Sequence, residues 1–183
     1  MPIGVKTIWA VWSFKRKRHP DGSLNKHKAC LCAHGGMQFW GDNYWETYAP
    51  FVNWLSVRLL ITVAHIHGLS SKSIDFVLAF PQAELEVDIF METPAGMQVE
   101  DENQPGTRDG GKLKYVLKLR KNLYGIKQAG YNWYNMLREG LERRGFLASR
   151  IDECVFYSEG AVILTYVDDC IIFGDSEKRV NNS

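Results

Sequence analysis

Residues Ala161–Gly174 read AVILTYVDDCIIFG, with two adjacent carboxylates, Asp168 and Asp169, set inside an otherwise apolar run of β-formers. In mid-strand such a pair would be desolvated and mutually repelled, so it is tolerated only at a tight turn where both side chains reach solvent or a cation. The stretch therefore predicts a β-hairpin with its acids at the tip. A divalent metal is the natural compensator, because Mg²⁺ prefers oxygen ligands and is typically held by one or two carboxylates together with substrate phosphates. A third acid from another strand would complete a two-metal site. Asp75 is the best candidate: it follows Ile74 at the end of a short predicted strand and precedes the apolar run Phe76, Val77, Leu78, Ala79 and Phe80. On its own Asp75 also fits a helix cap, and Asp168 with Asp169 an ordinary hairpin tip.

Working outward, Cys154–Tyr157 and Ala161–Phe173 read as β-structure with Glu159 and Gly160 turning between the first two strands. Upstream, Ala129–Arg144 places Trp133, Leu137 and Leu141 four apart on one helical face. Lys114–Leu119 alternates Tyr115, Leu117 and Leu119 against lysines, as a half-buried strand does, and the polar, glycine-rich Gln98–Gly111 predicts a loop. A strand over Asp88–Glu92 is stopped by Pro94 and Gly96. Asn53 is placed to cap a helix running to about His67, whose face of Leu55, Leu59, Leu60, Val63 and Ala64 is assigned to the core. At the start, Val5–Arg18 and Leu24–Ala33 predict a hairpin around Pro20, Asp21 and Gly22. Together these specify an α+β fold.

The chain has 183 residues, of which 45% are apolar and 23% charged, a balance that supports one globular core and argues against disorder. Its longest apolar stretch, around Val57–Ala64, is interrupted by Arg58 and far too short for a bilayer, and Met1–Ala10 lacks the pattern of a signal peptide. The expectation is an intracellular protein without a membrane partner. Cys30, Cys32, Cys154 and Cys170 then read as reduced thiols. A net charge of +1 says little, but its distribution is uneven. Lys15, Arg16, Lys17, Arg18, Lys26 and Lys28 form one basic segment and Lys112, Lys114, Lys118, Arg120, Lys121 and Lys127 another; each fits either phosphate neutralisation or a solvated strand face. Cys30, Cys32 and His34 share a strand face at period two and form an alternative metal site, although the spacing is unusual for zinc and no fourth ligand is evident. Asn181, Asn182 and Ser183 spell a glycosylation acceptor, read as chance without a secretion signal.

YVDD at Tyr166–Asp169, between apolar strands, resembles the catalytic hairpin of reverse transcriptases, and four further segments in order make the chain similar to the Ty1/copia type of retrotransposon polymerase. These are PIGVKTIWAVWSFKRKRHPDGSLNKHKACLCAHG, GDNYWETYAPFVNWLSVRLLI, SIDFVLAFPQAELEVDIFMETPAG and KLRKNLYGIKQAGYNWYNML, and the likeness runs from about Pro2 to Ile172. The resemblance implies fingers and palm, with an antiparallel palm sheet backed by helices. Residues 1–183 would be a single partial domain, ending before the palm is complete and lacking thumb and RNase H. An incomplete sheet edge would leave the protein marginally stable or prone to aggregate.

By the same resemblance the function is RNA-directed DNA polymerisation, with an RNA or DNA template, a primer and dNTPs as partners, inside a cytoplasmic virus-like particle. Asp75 and Asp168 would hold two Mg²⁺ ions, with Asp169 as the supporting second acid. Phe80 would lie beneath the sugar of the incoming nucleotide and exclude a 2′-hydroxyl. Gly125, Lys127 and Gln128 would contact nucleotide and template, and Lys28 the triphosphate. The chain departs from the pattern at Cys30, where arginine is usual, at His34, where a basic residue is usual, and at Pro81, Gly130 and Tyr131. The alternative is an inactive remnant that folds and at most binds nucleic acid.

Overall fold

A computed structural model describes residues 6–97, 108–109, 112–113 and 115–182. In chain order the elements are β1 Thr7–Ile8, β2 Ala10–Arg18, β3 Leu24–Ala33, α1 Trp54–Ile66, β4 Ser70–Asp75, α2 Ala79–Gln82, β5 Glu84–Glu92, β6 Arg108–Asp109, β7 Lys112–Leu113, β8 Val116–Lys121, α3 Ala129–Glu142, β9 Leu147–Ala148, β10 Val155–Ser158, β11 Ala161–Tyr166, β12 Asp169–Gly174 and α4 Glu177–Asn182. The chain divides into two compact units, residues 1–47 with 83–129 and residues 48–82 with 130–183.

The second unit is built on a five-stranded sheet in the order β4-β12-β11-β10-β9, antiparallel throughout. Helix α3 covers it. Its Trp133, Tyr134, Leu137 and Leu141, one face of a 3.6-residue repeat, pack with Phe156, Ile163, Cys170 and Ile172 of the sheet. Each large side chain buried this way stabilises the fold by about 1.5–3 kcal/mol. Short α4 adds Val180 to the same core. Gly160, at φ 75°, turns β10 into β11 as the sequence predicts.

The prediction for α1 is half right. Asn53 caps it, its side chain accepting from the Leu55 amide at 2.9 Å, yet of the assigned core face only Ala64 is buried, with Leu60 and Val63 half-buried. Leu55 and Leu59 are 73% and 60% exposed, so the core assignment is wrong for them. The period was real, but only part of the predicted face is covered.

The first unit holds a three-stranded sheet, β1-β5-β8, with β1 parallel to β5 and β5 antiparallel to β8, and a separate two-stranded ribbon of β2 and β3. The single strand predicted over Val5–Arg18 is broken at Trp9, whose carbonyl accepts from the His34 amide at 2.8 Å; Val5 lies outside the described residues. The loop predicted over Gln98–Gly111 lies outside them too, except that Arg108–Asp109 pairs with Lys112–Leu113 as a small antiparallel ladder. Buried Asn122 ties β8 back to the start of β5, donating from Nδ2 to the carbonyls of Ala83 and Glu84. No helix among the described residues is long and apolar enough to cross a membrane.

Candidate catalytic site

Strands β4 and β12 are neighbours in antiparallel register, and that register sets Asp75 directly opposite Asp169. One step beyond, the Phe76 amide donates a 2.8 Å hydrogen bond to the Asp168 carbonyl, so the two strands stay paired through the acids. Residues directly opposite one another share a face of the sheet, which puts the Asp75 and Asp169 side chains on one side. Asp75 and Asp169 are exposed and Asp168 is half-buried. No described side chain donates a hydrogen bond to any of the three carboxylates or pairs with one as a cation. Among the described residues no three His, Cys, Asp or Glu side chains converge as a metal cluster. The backbone thus gathers the acids at one end of the sheet, while their oxygens are not drawn into a single ligand set.

The turn that presents Asp168 is strained. Tyr166 pairs with Asp169, leaving Val167 and Asp168 as a two-residue turn in which Val167 alone has positive φ, at 56°, the pattern of type II′. Glycine is the usual occupant, and a β-branched residue there costs about 1–3 kcal/mol. The surroundings hold it in place. Trp133 Nε1 donates a 2.6 Å hydrogen bond to the Val167 carbonyl, and the Phe76 ring meets the Trp133 ring edge-on at 5.2 Å. Beside Asp169, the Cys170 thiol is pushed up to about 12 by burial, with the Asp169 and Asp168 charges adding to it. Leu78, in the turn after Asp75, also has positive φ, at 55°, and the Gln82 amide braces that turn by donating to the Val77 carbonyl at 2.9 Å.

Phe80 stands in α2, half-buried against the same core that holds Phe76 and Val167. Pro81 follows it without disturbing the chain, because it falls in the first turn of that four-residue helix, where a backbone amide is not needed.

The remaining predicted residues belong to the other unit. Lys28 is exposed on β3, directly opposite Lys15. Gly125 has φ 93° and lies so close to Ala33 that a Cβ there would collide with the Ala33 carbonyl, so its glycine serves internal packing. Lys127 donates from Nζ to Tyr44 Oη at 3.0 Å and to the Gln38 carbonyl at 3.3 Å. Gln128 is buried, its Oε1 accepting from Gln38 Nε2 at 2.9 Å and its Nε2 donating to the Asn43 carbonyl at 2.9 Å. Gln38 and Asn43, which organise this network, carry no periodicity or motif that sequence could flag. The anchoring of Val167 by Trp133 was missed likewise, although a two-residue turn between predicted strands does demand positive φ at its first position. The three-ligand metal alternative fails: Cys30 and Cys32 approach to 3.9 Å, but the His34 ring sits edge-on to Trp9 and joins no cluster with them.

Residues 1–183 match the family described as reverse transcriptase (RNA-dependent DNA polymerase). The chain belongs to the reverse transcriptase family. Its relatives are Ty1/copia-type Pol polyproteins. The Pol polyprotein of transposon RE1 from Arabidopsis thaliana is 36% identical to this reverse transcriptase chain over 186 residues, covering 100% of it and 12% of the relative. That of transposon TNT 1-94 from Nicotiana tabacum is 32% identical, over 95% of this chain and 13% of the relative. The Gag-Pol polyprotein of transposon Ty1-ER2 from Saccharomyces cerevisiae is 26% identical, over 92% of this chain and 9% of the relative. The reverse transcriptase chain thus spans about an eighth of the plant relatives it matches. No solved structure matches it.

Proposed function

We propose that this chain is the fingers and palm of a copia-type polymerase, adding dNTPs to a primer 3′-hydroxyl on an RNA or DNA template. Residues 48–82 with 130–183 act as the palm, and residues 1–47 with 83–129 supply the fingers. The observation that carries the proposal is the register of β4 against β12, which brings Asp75 from a distant part of the chain opposite Asp169 and beside Asp168. Three carboxylates, none paired with a cation among the described residues, offer oxygen ligands suited to Mg²⁺ and unsuited to softer metals.

Asp75 and Asp168 are the residues that would hold Mg²⁺, with Asp169 adding negative charge at the same sheet end. When bound, the ions neutralise the triphosphate and lower the pKa of the primer hydroxyl. Phe80 presents a half-buried ring to the sugar and leaves no room for a 2′-hydroxyl, which selects dNTPs over rNTPs. Lys28 pairs with phosphate oxygens. Lys127, held over the Tyr44 ring at 4.3 Å, offers a positioned charge to nucleotide or template.

Primer extension on poly(rA) with oligo(dT) and Mg²⁺ tests the proposal: the folded protein extends the primer and Asp168→Asn abolishes extension. A second reading, an inactive remnant that retains only nucleic-acid binding, is favoured by Cys30 standing where arginine is usual. Folded protein that binds template-primer yet extends nothing establishes that reading instead.

A further inference from the structure

The ribbon formed by β2 and β3 has two unlike faces. Its register pairs Val11 with Cys32, Ser13 with Cys30, Lys15 with Lys28 and Lys17 with Lys26, and opposed residues share a face. One face therefore carries two thiols and four lysines and no acid. On it the Cys30 and Cys32 sulfurs lie 3.9 Å apart, both half-buried and not joined as a disulfide.

We propose that Cys30 and Cys32 form a two-thiolate site for a soft d¹⁰ cation, with Cu(I) the best-matched ion. Two metal–thiolate bonds of about 2.3 Å reach roughly 4.6 Å end to end, so rotation of the two cysteine side chains that opens the 3.9 Å separation slightly admits a near-linear S–M–S unit. Thiolates select soft ions, which excludes Mg²⁺ and Ca²⁺. Zinc takes four ligands in its structural sites, and among the described residues no third ligand converges here. Loading is an exchange without redox change: two S–H bonds break, two Cu–S bonds form, two protons leave to solvent, and the product carries one negative charge. That charge falls on the face of Lys28 and Lys15, where a cationic setting stabilises it. None of the three acids takes part in this site, which shares its face with Lys28 and Lys15.

The test is titration of the full chain with Cu(I) held reduced by ascorbate, in competition with the chromophoric chelator bicinchoninate. One ion binds per chain with two sulfur neighbours in X-ray absorption. Cys30→Ser and Cys32→Ser each weaken binding by at least about 100-fold, since the second thiolate otherwise acts at high effective concentration. Cys30→Arg, which installs the residue usual in the resembling polymerases, does the same with an unchanged far-UV circular dichroism spectrum. Copper affinity unaltered by these substitutions, or an ion bound through Cys154 and Cys170 instead, overturns the proposal.

Discussion

Trp133 Nε1 donates its 2.6 Å hydrogen bond to the carbonyl of Val167, the residue held at φ 56° in the turn that carries Asp168. A residue of the buried helix face thereby fixes the backbone of the hairpin tip, and strain in the turn is offset by packing and hydrogen bonding elsewhere in the unit. Replacing the donor isolates this link. Trp133→Phe keeps an aromatic ring but leaves a part-buried carbonyl without its partner, which should lower unfolding stability by about 1–3 kcal/mol. Urea denaturation followed by circular dichroism measures it. A change near zero would mean that the turn is held by other contacts.

Asp75 and Asp169 stand directly opposed on neighbouring strands, and like charges so placed destabilise a sheet. Asp75→Asn should therefore stabilise the metal-free protein by about 0.2–1 kcal/mol while removing primer extension. The gain should shrink as salt is raised, because both groups are exposed. A loss of stability on this substitution, measured by urea denaturation at low ionic strength without divalent ions, would mean that the two carboxylates do not oppose one another.

The elements around the acids were readable because each follows from local rules. The tip at Asp168 and Asp169 is where a carboxylate pair can escape an apolar hairpin, and Trp133, Leu137 and Leu141 repeat at the period of a covered helix. Asp75 stood out by its place between Ile74 and an apolar run, and the likeness to polymerase segments then favoured its catalytic reading over a helix cap. What escaped is what depends on partners far away in sequence. Leu55 and Leu59 share their period with Leu60 and Val63, yet only a tertiary surface decides which part of α1 is covered, and that surface is not written in the helix. Gly125 was assigned to nucleotide and template contact, and the chain its missing Cβ makes room for is Ala33 of β3. Gln128, assigned to ligand contact, has its amide committed to Gln38 and Asn43, a network among polar residues that have no sequence period.

Burial sets the alkaline limit of stability. The Cys154 and Cys170 thiols are pushed from an ordinary 9.0 up to about 11 and about 12, chiefly by desolvation, and the Tyr134 hydroxyl from 10.0 up to about 12 for the same first cause. Raised folded-state values mean that the unfolded chain loses these protons first. Their contribution is full below pH 9 and is lost as pH rises through the folded values. The urea midpoint should thus fall between pH 9 and 12, and Cys170→Ala should flatten part of that fall. In native protein a thiol reagent should modify Cys30 and Cys32 quickly, and Cys154 and Cys170 only on unfolding. Four equally fast thiols in folded protein would contradict this.

Lys15 faces Lys28 and Lys17 faces Lys26 across the ribbon, two like-charge pairs that a merely solvated surface has no reason to align. Anionic partners make the arrangement favourable, because each lysine that neutralises a phosphate releases a counterion. Binding of a template-primer duplex should then weaken with salt along a log–log slope to which these four lysines contribute about −3.6, at about −0.9 per contact. Lys15→Ala with Lys28→Ala should reduce the slope by roughly 1.8 and weaken binding equally on unrelated sequences, the behaviour of phosphate contacts. Fluorescence anisotropy over a salt series reads both quantities. A slope unchanged by the double substitution would show that this face does not meet the nucleic acid, and that its paired lysines must be explained by some other anion.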